Sequence, residues 1–148
     1  MVVEDQFKNY CIIKTFGLKR SDIAPYLRTG NVSVDYSEEC LDGTIRVLNN
    51  DAEETEFQET LDVIKRAFKD RIYSDCDSSL AKKLVDTCRE NGIRLIVAES
   101  ITGGMICSSL VDIPGASEVL TEGLVTYTDA AKVTRLHVRL STLEKFGA

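Results

Sequence analysis

"IRLIVAESITGG", residues 93–104, runs an almost unbroken aliphatic stretch into a carboxylate, two hydroxyls and a pair of glycines. The first half, 93–98, has the pattern of a strand buried on both faces of a parallel sheet. What surrounds it supports that reading. Upstream, Leu80, Leu84, Val85 and Cys88 recur at helical spacing, and Asn91-Gly92 supplies a C-terminal stop. Downstream, Gly103-Gly104 opens a helical pattern, MICSSLVDI, that Pro114-Gly115 ends. LVTY (124–127) is then the next strand, and the residues from Thr128 onward follow a helical pattern again. Helix, strand, helix, strand and helix in this order predict an α/β layer structure.

The N-terminal half reads differently. Cys11-Ile12-Ile13 is a short strand candidate, and Ser21-Asp22 resembles the cap of a short helix carrying Ile23, Tyr26 and Leu27. VSVDY (32–36) and TIRVL (44–48) alternate apolar and polar residues, with an Asp42-Gly43 turn signal between them. From Asp51 to Tyr73, a helical period places Phe57, Leu61, Ile64, Phe68 and Ile72 on one face, with Asp51 and Glu54 as a capping pair. These elements predict a small α+β unit. SDCDSS (74–79), polar throughout, is the expected linker, which divides the chain into 1–75 and 76–148.

Composition bounds the function classes. The 148 residues are 43% hydrophobic and 28% charged, as in folded globular chains. No apolar run approaches the roughly 20 residues of a membrane-spanning helix, and the polar start, MVVEDQFKNY, lacks the layout of a secretion signal. The expected location is the cytoplasm. Five scattered cysteines without a CxxC pair predict free thiols, and a single histidine, His137, argues against a metal site. The net charge of −6 is concentrated in residues 1–75, which hold 15 acidic and 10 basic side chains. That half contains no GxxG, so it has neither the charge nor the loop of an RNA-binding KH module.

Two constellations carry chemistry. Open α/β sheets bind ligands beyond the C-terminal ends of their strands, where Glu99, Ser100 and Thr102 are expected. Gly103 and Gly104 permit close backbone approach, and amides at the next helix start suit an oxyanion or phosphate. By spacing alone the plainer alternative is favoured, with Ser100 or Thr102 capping that helix and Glu99 facing solvent. The second constellation is Ser117, Tyr127 and Lys132: a lysine held near a hydroxyl in a dry pocket can serve as its base. GxSxG, GxGxxG and P-loop signatures are absent, and Ser79-Leu80-Ala81-Lys82 matches SxxK only as a helix start. A dehydrogenase-like use of Ser, Tyr and Lys therefore lacks a dinucleotide fingerprint.

AESITGG (98–104), DIPGAS (112–117), GLVTYTDAAK (123–132) and STLEKFGA (141–148), in this order and spacing, resemble the C-terminal domain of the CinA family. KTFGLKRSDIA (14–24) through KDRIYS (69–74) is similar to the KH-like middle domain of longer CinA proteins. The resemblance implies a KH-like α+β domain over 1–75. Over 76–148 it implies the N-terminal half of an incomplete three-layer α/β deamidase-type domain. It also implies hydrolysis of nicotinamide mononucleotide to nicotinate mononucleotide and ammonia, a step of NAD metabolism, without cofactor or metal. By motif position it implies Ser117 as nucleophile, Tyr127 and Lys132 as the activating pair, and Ser100, Thr102, Gly103 and Gly104 around the substrate. The expected partners are that nucleotide and further copies of the chain, with neither nucleic acid nor membrane. Ile101 stands where the family has cysteine, PGSS reads Pro114-Gly115-Ala116-Ser117, Asp129-Ala130 replaces Asn-Glu, and Phe146 replaces histidine. Family members continue through a second half with another glycine-rich motif and an arginine for the substrate phosphate. The expectation is therefore weak or no deamidase activity from this chain alone, the alternative being a non-catalytic fragment acting in association.

Overall fold

The computed structural model describes residues 9–147. The N-terminal stretch read for a secretion signal (apart from its last two residues) and Ala148 of the last family block lie outside them. The chain divides into two compact units, the first ending at Leu80 and the second beginning at Ala81.

In the first unit, β1 (Tyr10–Phe16), α1 (Arg20–Ile23, prolonged by a 3-10 turn), β2 (Val32–Glu39), β3 (Asp42–Asn49), α2 (Glu54–Phe68) and β4 (Ile72–Ser74) follow one another. The strands form one antiparallel sheet in the order β2-β3-β1-β4. That order belongs to the split βαβ arrangement. Alternation along the strands buries Ile13, Val34, Tyr36, Ile45 and Val47 on one face, and α2 closes that face with Phe57, Leu61 and Ile64.

Three local expectations are corrected. The helix stops at Phe68, and Ile72 belongs to β4, an edge strand paired with β1 that a helical period had absorbed. Gly43 lies inside β3 opposite Glu38, and the turn falls on Cys40-Leu41, where Cys40 takes φ 55°. The helix is preceded not by an Asp51 cap but by Asn49, whose Oδ1 accepts from the backbone N–H of Ala52 (2.8 Å).

The second unit contains α3 (Leu80–Glu90), β5 (Leu95–Glu99), α4 (Met105–Val111), β6 (Leu120–Val125), α5 (Asp129–Leu136) and α6 (Leu140–Phe146). The two strands run parallel, with Leu95 opposite Leu120 at one end and Glu99 opposite Val125 at the other. Val85 and Cys88 of α3, Leu110 of α4, and Ala116 and Val119 before β6 form the core, with Leu95 and Val97 against it. The expectation of a strand buried on both faces is not met. Ile96 is 65% exposed, Ala98 is exposed too, and Leu80 and Leu84 do not join the core. Among the described residues the sheet has two strands, and α3 and α4 cover one face of it.

Candidate active site

Glu99 ends β5 at 3% exposure, the opposite of the solvent-facing carboxylate that spacing favoured. Its side chain turns under the start of α4. The backbone N–H groups of Gly104 (3.1 Å) and Ile106 (3.0 Å) donate to Oε2, and that of Cys107 donates to Oε1 (3.0 Å). These are amides that the first turn of a helix leaves without intrahelical partners. Desolvation pushes the carboxyl pKa up, but the amides of Cys107 and Ile106 and the hydroxyl of Thr102 outweigh it. The balance holds the group at about 2, so it is an anion at neutral pH. The Cys107 thiol also faces this carboxylate and is pushed above its ordinary value, first by that hydrogen bond and then by desolvation.

A helix start capped from five residues upstream needs an abrupt turn between strand and helix. Gly103 (φ 60°) and Gly104 (φ 99°) provide it in left-handed backbone, which residues with a Cβ adopt at a cost. The amide of Gly103 donates to the Ser100 carbonyl (3.1 Å), closing the turn. The amides of Gly103 and Gly104 are thus engaged within the protein. The expectation that the start of α4 offers its amides to a substrate oxyanion or phosphate is corrected by this internal carboxylate.

Ser100 begins that turn and is half-buried. The next strand brings Tyr127 to the same end of the sheet: the backbone N–H of Thr126 donates to the Glu99 carbonyl (2.8 Å), so Ser100 and Tyr127 each follow one member of a bonded pair. Tyr127 is 70% exposed. Thr128 caps α5 by accepting from the Ala131 N–H (3.2 Å), and one turn into that helix Lys132 reaches back. Its Nζ donates to the Tyr127 carbonyl at 3.0 Å. Ser100, Tyr127 and Lys132 are therefore placed by the backbone at one end of the sheet.

Ser117 does not join them. It lies in the 3-10 turn Ala116–Glu118 ahead of β6, whereas Tyr127 lies past the end of that strand. Six strand residues at roughly 3.3 Å each separate the two by about 20 Å. The surroundings agree. A Cβ built on Gly115 would stand 2.7 Å from Nη1 of Arg89, near the end of α3 that leads into the start of β5. Ser117 instead lines a shallow hollow with Asp112, Pro114 and Leu120. The sequence blocks place Ser117 ten residues before Tyr127, and only the direction of β6 reveals that they sit at opposite ends. Glu99 is the residue that spacing undervalued; its signal was a carboxylate followed four residues later by two glycines at a helix start.

Comparison with known proteins gives the lineage of this arrangement. The CinA C-terminal domain family matches residues 77–148. A CinA-like protein of Kosmotoga olearia is 36% identical over 126 residues, 85% of this chain and 29% of the relative. The chain belongs to the CinA family. A putative competence-damage inducible protein of Acetivibrio thermocellus is 37% identical over 136 residues, 87% of this chain and 30% of its own length. Both stretches are longer than residues 77–148, so the likeness to CinA proteins extends into the first unit. The chain spans about 30% of the length of these relatives. A solved competence/damage inducible protein from Agrobacterium tumefaciens is 42% identical over 47% of this chain and 42% of its own, with a TM-score of 0.46. The described residues contain no helix long and apolar enough to cross a membrane.

Proposed function

We propose that the second unit carries the nucleophile and base of a nicotinamide mononucleotide deamidase, with Ser100 as the nucleophile and Ser117 outside the reaction. The observation that carries this reading is the shared strand end: Ser100 follows Glu99, Tyr127 follows Thr126, and Thr126 is hydrogen-bonded to Glu99. Lys132, bonded to the Tyr127 carbonyl, stands beside them. Membership of the CinA family supports the substrate class.

Ser100 Oγ attacks the carboxamide carbon, and its proton passes to Lys132 in its neutral amine form, directly or through the Tyr127 hydroxyl. The tetrahedral intermediate collapses with cleavage of the carbon–nitrogen bond, and the leaving nitrogen takes a proton and departs as ammonia. Water then attacks the resulting ester under the same base, releasing nicotinate mononucleotide and restoring Ser100.

The test grafts residues 81–148 into the Kosmotoga CinA-like protein in place of the matching segment and measures ammonia release from nicotinamide mononucleotide. Ser100→Ala and Lys132→Ala are expected to lower the rate about 100-fold or more, the scale of a lost general base. Ser117→Ala is expected to keep at least half of it. Loss of activity in Ser117→Ala with retention in Ser100→Ala would return the nucleophile to Ser117. A graft inactive beside an active parent would overturn the reading, and the 148-residue chain alone is expected to show little turnover.

A further inference from the structure

Three features of Glu99 stand together: near-complete burial, three backbone amides at 3.0–3.1 Å, and a place directly before Ser100. A buried carboxylate costs desolvation, and a cap alone needs only a serine, threonine or asparagine at the adjoining position. The amides engaged span Gly104 to Cys107, so the two carboxylate oxygens brace the whole first turn of α4. Its other end is equally fixed, because the Glu99 carbonyl accepts from the Thr126 amide and the Thr126 hydroxyl (3.3 Å). The residue thus ties three pieces together: the end of β5, the end of β6 and the start of α4. Cys107 packs against β6 from the helix side, so closely that a Cβ on Gly123 would clash with its sulfur.

We propose that Glu99 is a positioning residue for the reaction: its carboxylate braces the Ser100–Gly104 turn from beneath and so holds the Ser100 hydroxyl at the strand edge shared with Tyr127 and Lys132. Glu99 touches no reacting atom. Because it occupies the first-turn amides of α4, the substrate's phosphate and the reaction's oxyanion are met by other groups. This role rests on the reading of Ser100 as nucleophile, while the brace itself does not.

The 148-residue chain, its Glu99→Gln and Glu99→Asp variants and a Lys132→Ala control permit two separate measurements. In the first, amide hydrogen exchange is followed by NMR. Ile106 and Cys107 are expected to exchange at least tenfold faster in both Glu99 variants, while the amides of Val85 and Cys88 in α3, part of the same unit's core, keep their rates and report that this unit's fold persists. Asp retains the charge but is one methylene too short to reach the three amides, so an effect of charge alone would leave it like the wild type. Unchanged exchange in Glu99→Gln overturns the brace. In the second, phenylmethanesulfonyl fluoride probes the hydroxyl without any need for bound nucleotide, with the modified residue located by mass spectrometry. Labelling of Ser100 is expected to fall at least tenfold in Glu99→Gln and in Lys132→Ala. Faster exchange with undiminished labelling in Glu99→Gln would show a cap without a positioning role. A wild-type chain that is not labelled at Ser100 overturns the nucleophile and the positioning role with it, whatever the exchange shows.

Discussion

Glu99 bears a full charge in a place where burial alone would neutralise it, and the amides around it decide the outcome. Its folded-state pKa of about 2 lies below the ordinary 4.5. A depressed carboxylate contributes stability that is fully present above the unfolded value and is lost as pH falls through the folded one. The second unit should therefore lose this contribution between about pH 4.5 and 2, and Glu99→Gln should remove that part of its acid sensitivity. Urea unfolding at pH 6 and pH 3, for wild type and variant, checks it: the gap between them is expected to shrink at the lower pH. Cys107 gives a second readout at this scale. With its thiol pushed upward by the same carboxylate, it is expected to react with a thiol reagent at pH 8 well after the exposed Cys40 and Cys76, as peptide mapping over time would show.

Within elements, the deciding quantity is what each face meets. Gly43 in β3 lies under Thr15 and Tyr36, and a Cβ there would stand 2.5 Å from both hydroxyl oxygens. Neither neighbour has room to retreat, since Thr15 is fully buried and Tyr36 nearly so. Gly43→Ala is expected to cost about 1–3 kcal/mol, the range for overpacking a filled core, as a lowered denaturation midpoint of the first unit. In the second unit, Leu110 and Ile96 form a matched contrast. Leu110 of α4 is buried in the core, so Leu110→Ala should cost about 2–5 kcal/mol. Ile96 of β5 looks the same in sequence but faces outward, so Ile96→Ser should change the unfolding free energy by no more than about 0.5 kcal/mol. A large loss from Ile96→Ser would show that the face is covered in solution.

Across the molecule, the two units differ in how completely they enclose their apolar residues. The first buries one face of a four-stranded sheet under a 15-residue helix. The second covers one face of two strands and leaves Ile93, Ile96, Val125 and Tyr127 exposed. The chain matches only about 30% of the length of its relatives, which is why the activity test places residues 81–148 within one of them. In that setting the proposed nucleophile and base, Ser100 and Lys132, come from this chain, so the effects of Ser100→Ala and Lys132→Ala report on the strand end described here.

Period and punctuation carried much of the architecture. Alternation in 32–36 and 44–48, the helical stripe through Phe57, Leu61 and Ile64, and the aliphatic run into Glu99 are local signals, because strands repeat every two residues and helices every 3.6. The family blocks are local too, so the resemblance was legible without coordinates. What neighbours decide was not. Ile72–Ser74 is a strand because β1 offers it a bare edge, and three residues cannot announce that by themselves. Ile96 is exposed because no described element covers its face, although its aliphatic side chain suits either side. Glu99 is buried because α4 turns its unpaired amides onto it, a pairing of residues five to eight apart that depends on the bend at Gly103-Gly104. The distinction between Ser100 and Ser117 is of the same kind. Both are serines near the end of a strand, and only the parallel register of β5 and β6 puts one at the end with Tyr127 and Lys132 and the other a strand's length away. Sequence spacing measures distance along the chain, whereas catalytic placement depends on which end of a strand that distance reaches.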